Sequence, residues 1–210
     1  MMTARNVALA MTGASGVQYG LRLLEHLLRA GVEVGLMLSQ PARVVIGTET
    51  DLALPGRQGE AERFLVEHFG ARAGQLSVYG EQQWTAPVAS GSAVFDACVI
   101  CPCTTGTLAA VATGQSRSLI ERAADVTLKE RKRLILVVRE TPFSEIHLEN
   151  MLRLARMGAV IMPANPGFYH RPRSIEQLVD FMVARVLDHL GIEHALLPRW
   201  GEKQGKQRYE

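Results

Sequence analysis

"ALAMTGASGVQYG", residues 8–20, is the stretch on which the fold turns: an apolar run breaks into Gly13, Ala14, Ser15 and Gly16, then resumes with helical spacing. A strand that passes through small residues into a helix leaves the helix's first backbone N–H groups unpaired. The aligned peptide dipoles favour an anion at the same place. The G-A-S-G spacing matches neither the G-x-G-x-x-G dinucleotide fingerprint nor the G-x-x-x-x-G-K-[ST] phosphate loop. A whole dinucleotide or a nucleoside triphosphate is therefore disfavoured, and a single phosphate, as on a flavin mononucleotide, fits better. A plain tight strand-to-helix turn, common in α/β units, is the other reading of these residues.

Working outward, strand-like aliphatic runs recur at residues 7–11, 32–38, 97–100, 134–138 and 159–162, with amphipathic stretches of helical length between most of them. Continuous rather than alternating apolar strands indicate a parallel sheet covered on both faces. The expected fold is a single-domain α/β sandwich of three layers, doubly wound, Rossmann-like or flavodoxin-like. Ligands in such folds sit outside the carboxyl ends of the strands. Those ends are residues 13–16, Ser39 with Gln40, residues 101–107, Arg139 with Glu140, and residues 163–170, all polar or rich in glycine or proline, and they are expected to converge on one site. Residues 51–91 read as the least regular region, with a helix over about 60–69 and a short strand-like 76–79. The domain is expected to span 1–200, and the polar tail 201–210 to be frayed.

A length of 210 residues allows one domain of the usual size, about 100 to 200 residues, and hardly two. A net charge of +2 argues for neither nucleic acid nor a membrane surface. Cys98, Cys101 and Cys103 have no distant partners, so a reducing compartment is expected rather than a disulfide framework. They do not make a zinc site either, which needs four ligands. Val99 and Ile100 read as strand, which sends the Cys98 and Cys101 sulfurs to opposite faces and disfavours a redox dithiol. No apolar run approaches the roughly 20 residues of a membrane span, and no signal peptide is evident, so the reading is a cytoplasmic protein.

Three further stretches carry candidate chemistry. In "CPCTTGTLAAVATG", residues 101–114, Thr104, Thr105 and Thr107 offer hydroxyls and the Thr105–Gly106 backbone offers N–H groups to an anion or a flavin edge. Threonine is equally an ordinary helix N-cap. Arg122 and Lys129, seven apart, share one helix face, and Arg139 with Glu140 follows an apolar strand, where a charge needs a partner or ligand. In "MPANPGFYHRPRS", residues 162–174, Tyr169 supplies a phenol. Arg185, in the apolar helix 178–190, either faces a site or lies on the surface with its stem on the core. No G-x-S-x-G elbow, H-E-x-x-H or clustered-aspartate cage is present.

Taken together, "MTGASG", "CPCTTGTL", "LIERAADVTLKERKRLILVVRETPFS", "HLENMLRLARMGAVIMPANPGFYHRP" and "LLPRWGE" resemble the UbiX-like flavin prenyltransferase family along about the whole chain. The resemblance implies a metal-independent enzyme joining the dimethylallyl group of dimethylallyl monophosphate to N5 and C6 of reduced FMN. The prenylated FMN would go to a UbiD-like decarboxylase, in ubiquinone biosynthesis or a related decarboxylation. It also implies dodecamers with sites between subunits. By motif, Gly13, Ala14, Ser15, Ser39, Thr104, Thr105, Gly106, Thr107 and Arg139 would hold the flavin. Glu49, Ser90, Arg122, Lys129, Glu140, Tyr169 and Arg185 would surround the prenyl phosphate, and Trp84 would wall the prenyl pocket. The catalytic candidates are Glu49, Lys129, Glu140 and Ser15, with Glu140 protonating the leaving phosphate.

Thr104 stands where the family commonly has serine, and Ser118 where it usually has asparagine. The alternative is an FMN-dependent cysteine decarboxylase, which uses a catalytic histidine in the region filled here by Thr48, Glu49 and Thr50. An electron carrier is a further alternative, and it would have no need for Lys129, Glu140 and Arg185 together.

Overall fold

Strand β1 (Asn6–Met11) is buried from Val7 onward. Val7, Leu9 and Met11 enter one apolar cluster and Ala8 and Ala10 another. That is what period-2 side chains do in a strand covered on both faces. The computed structural model describes residues 3–92 and 95–197; the tail 201–210 lies outside them.

Six parallel strands lie in the order β3-β2-β1-β4-β5-β6, with β2 (Glu33–Leu38), β3 (Leu76–Tyr79), β4 (Ala97–Cys103), β5 (Arg133–Val138) and β6 (Val160–Ile161). This is the doubly wound α/β order, in which the direction of winding reverses between β1 and β4. Helices α1 (Val17–Arg29), α2 (Gln40–Glu49), α3 (Gln58–Phe69) and α7 (Ile175–Leu190) cover one face. Helices α4 (Thr105–Ala112), α5 (Leu119–Lys129) and α6 (Glu145–Arg156) cover the other. In α1, Leu23, Leu24, Leu27 and Leu28 are all buried, the i, i+3, i+4 stripe of a helix on a sheet.

The strand-like 76–79 segment is an edge strand paired to β2, the sixth strand beside the five aliphatic runs. One expectation needs correction: the third run does not end at Ile100, because β4 continues to Cys103, and residues 101–103 are strand rather than turn. Proline ordinarily interrupts a central strand. Here the β4–β5 register shifts between Ile100 and Cys103, which absorbs Pro102, and the Pro102 carbonyl accepts the Thr12 N–H at 3.1 Å. Cys98 and Cys101 do fall in opposite apolar clusters, as expected.

Candidate active site

At the carboxyl edge of the sheet, Thr12 ties β1 to β4. Its Oγ1 donates to the Pro102 carbonyl at 2.8 Å and accepts the Thr104 N–H at 2.9 Å. The turn that follows places Gly13 against the Pro41 ring, with no room for a side chain, and Gly16 at φ 92°, the left-handed region.

Glu49, the last residue of α2, reaches the start of α1: its Oε2 accepts the Gly16 N–H at 2.8 Å and the Val17 N–H at 3.4 Å. Burial pushes the Glu49 carboxyl up. Hydrogen bonds from Ser15, Gly16 and Val17 and the charge of Arg139 outweigh it and hold the group below its ordinary value. The phosphate expected at this turn is thus met by a rival anion from the chain itself. The sequence offered no signal of this, since nothing local pairs residues 33 apart.

The other strand ends lie along the same edge of the sheet, and of these Arg139 acts on that carboxylate through its charge. Ser39 caps α2, its side chain accepting the Ala42 N–H at 3.1 Å. Glu81 reinforces the same helix start, accepting the Gln40 N–H at 3.3 Å, and its carbonyl accepts the Leu119 N–H, so it anchors the loop that carries Trp84. Thr104 caps α4 by accepting the Thr107 N–H at 3.1 Å and donates its hydroxyl to Thr107 Oγ1 at 2.9 Å. The N-cap reading of Thr104 therefore holds, and the first turn of α4, Thr105 to Thr107, opens onto the same edge. Arg139 follows β5, its N–H donating to the Cys103 carbonyl at 3.2 Å. Its Nε is buried with no acceptor among the described residues. A buried cationic donor without an acceptor fits an anionic or carbonyl-bearing group such as FMN. Glu140, next in the chain, accepts the Thr141 N–H at 3.0 Å.

Within one chain the candidate residues fall into separate groups. Ser90, Arg122 and Lys129 form a separate group on the outer face of α5. Arg122 Nε donates to the Ala89 carbonyl at 3.1 Å, Lys129 pairs with Glu130, and Gly91 packs against both of those side chains. Arg122 and Lys129 share a face, as expected, but Lys129 lies just before β5 begins and Arg139 just after it ends. A six-residue strand, about 17–20 Å, separates the two.

Tyr169 lies against α7, the helix that carries Arg185. Tyr169 packs edge-on to Phe181 at 5.7 Å between ring centroids, and Phe181 precedes Arg185 by one turn of α7.

Sequence reasoning missed Thr12 and Glu81. A polar residue closing an apolar strand was the available signal for the first; Glu81 had none. No group of three or more metal-type side chains occurs among the described residues. The cysteines are free and buried, and burial pushes the Cys98 thiol up to about 12 and those of Cys101 and Cys103 still higher. Thiolate chemistry is therefore not accessible at neutral pH.

This fold and strand-end site define a class, the flavoproteins: the chain matches the Flavoprotein family over residues 1–187. It is 59% identical over 203 residues to the flavin prenyltransferase UbiX of Pseudomonas aeruginosa, covering 97% of each chain. A solved structure of AnUbiX (PadA1) in complex with FMN and dimethylallyl pyrophosphate superposes with a TM-score of 0.84 at 41% identity, covering 95% of this chain and 99% of that one. A dodecameric FMN-dependent UbiX-like decarboxylase from Escherichia coli O157:H7 gives 0.82 at 38% identity, covering 94% and 100%. The chain belongs to the UbiX flavin prenyltransferase family. Its position 49, where the cysteine decarboxylase alternative needs a histidine nearby, holds a glutamate bonded to the α1 amides.

Proposed function

We propose that this enzyme joins the dimethylallyl group of dimethylallyl monophosphate to N5 and C6 of reduced FMN and passes the product to a UbiD-like decarboxylase. The observation that carries this reading is the strand-end constellation of Arg139, with its unpaired Nε, beside the ionised Glu49 and next to Glu140. The turns after β1 and β4, with Ser39 and Arg139, would hold FMN. When bound in its reduced form, FMN supplies the electron-rich positions that accept the prenyl carbons.

The chain's own residues then have distinct tasks. Glu49, held as a carboxylate, is the acceptor for a proton released at the flavin edge, and Ser15 donates to it. Arg122, Lys129 and Arg185 grip the departing phosphate and stabilise the charge it gathers. The Glu140 carboxyl delivers the proton that phosphate takes as it leaves. The face of Trp84, 46% exposed, would stabilise allylic cation character by about 0.5–2 kcal/mol.

Because Lys129 and Arg139 are held apart within one chain, we read the complete site as assembled from more than one copy, as a dodecamer. Ile146, Leu148 and Leu152, exposed along α6, support burial against such a copy. No helix of the described residues is long and apolar enough to cross a membrane. The free thiols favour a cytoplasmic setting.

The test is anaerobic incubation with reduced FMN and dimethylallyl monophosphate, then mass spectrometry of the released flavin. The expected product is heavier by one five-carbon unit; unmodified flavin from folded, FMN-loaded protein would overturn the reading.

A further inference from the structure

Near its carboxyl end, α7 carries a pairing that helix stability does not explain. Arg185 Nη1 donates to Asp188 Oδ2 at 2.7 Å. The cation precedes the carboxylate, the less favourable order along a helix. Asp188 also stands in the last turn of Ile175–Leu190, where the carbonyl end of the helix disfavours negative charge. On both counts an uncharged side chain would suit the helix better.

The carboxylate is nevertheless clamped from its other side. His194 Nδ1 accepts the Leu196 N–H at 3.4 Å, which leaves the proton of the neutral ring on Nε2, 3.3 Å from Asp188 Oδ1. The His194 side chain is only 12% exposed, against 51% for that of Arg185. A well-anchored histidine thus fixes a carboxylate that fixes an exposed guanidinium. Local rules broken at a residue that also fixes an exposed cation point to function. Arg185 Nε and Nη2 make no hydrogen bond among the described residues, so the outer edge of the fork stays available for phosphate oxygens.

We propose that Asp188 is a positioning residue that holds Arg185 ready for the phosphate of the prenyl donor. The proposal rests on the reading of Arg185 as a phosphate ligand. Fixing the long side chain beforehand reduces the ordering entropy that phosphate binding must overcome.

The test compares Asp188→Asn, Arg185→Ala and the double variant of the full chain, measuring KM for dimethylallyl monophosphate, kcat, FMN affinity and Tm. Asp188→Asn is expected to raise KM about fivefold with kcat and FMN affinity unchanged. Its Tm should stay level or rise, because the last turn loses a misplaced charge. In the Arg185→Ala background the same change should add nothing to KM. If Arg185→Ala raises KM while Asp188→Asn leaves it alone, the positioning role falls and Arg185 stands as a ligand. If Arg185→Ala itself leaves KM unchanged, both fall. A drop in Tm and kcat together for Asp188→Asn would make the residue structural and also overturn the proposal.

Discussion

Thr12 spends one hydroxyl twice, as donor to Pro102 and acceptor from Thr104, and so sets the spacing between the turns after β1 and β4. Thr12 is 2% exposed, so Thr12→Val strands the Thr104 amide without water to replace the bond. The expected cost is about 1–3 kcal/mol in urea unfolding. Glu49 acts at the same edge through charge. Its folded value lies below the ordinary one, so its contribution is present at neutral pH and disappears as pH falls through that folded value. Glu49→Gln should lower stability by about 0.3–1 kcal/mol at neutral pH, a range that allows for solvent screening. The difference between the two proteins should shrink as pH falls through that folded value. Arg139→Ala should weaken FMN binding about tenfold or more, read by flavin fluorescence titration. Glu140→Ala should spare that binding yet slow prenyl transfer by about 100-fold or more; wild-type rates would remove Glu140 from its role. At this scale the sequence was legible where a residue's place follows from the strand it ends, as with Ser39, Thr104 and Arg139. Glu49's bond to the α1 amides was not, because it depends on how α2 packs against α1.

Among the elements, α1 and α2 offer opposite tests of the same residue type. A Cβ on Gly20 would run into the Cys101 carbonyl, so the glycine is what lets α1 lie close on the end of β4. Gly20→Ala is expected to destabilise by about 1–3 kcal/mol or more through overpacking. Gly47, on the exposed side of α2, has open space where a methyl group would stand, with nothing within 4 Å of it. Gly47→Ala should therefore stabilise by about 0.4–1 kcal/mol, and thermal melts of both variants check the two signs. Aliphatic runs disclosed β1, β2 and β5 to within a residue, because strands buried on both faces have little freedom of composition. Strand β3, with Ser77 between Leu76 and Val78, is an edge strand half open on one side and carries a weaker signal. The extension of β4 through Pro102 was hidden, because it depends on a register shift against β5 that no local pattern records.

For the molecule as a whole, the separation of the Lys129 group from the Arg139 group predicts complementation between chains. Lys129→Ala and Arg139→Ala should each be nearly inactive, and co-assembly of the two should restore part of the prenyl transfer, since a mixed oligomer contains sites with both side chains intact. No recovery in verified mixed assemblies would mean that both groups serve one chain's own site. The doubly wound order was legible from the sequence as a class. The division of the cationic residues was not, because motif spacing says nothing of which end of a helix lies near which end of a strand.

The three buried thiols have a practical consequence. They lie on β4, between β1 and β5 at the middle of the sheet, and burial keeps them protonated. A thiol-modifying reagent can reach them only when the sheet itself opens. The chain thus carries a built-in clock: the rate at which its cysteines become labelled reports how often the native structure comes apart, with no probe attached.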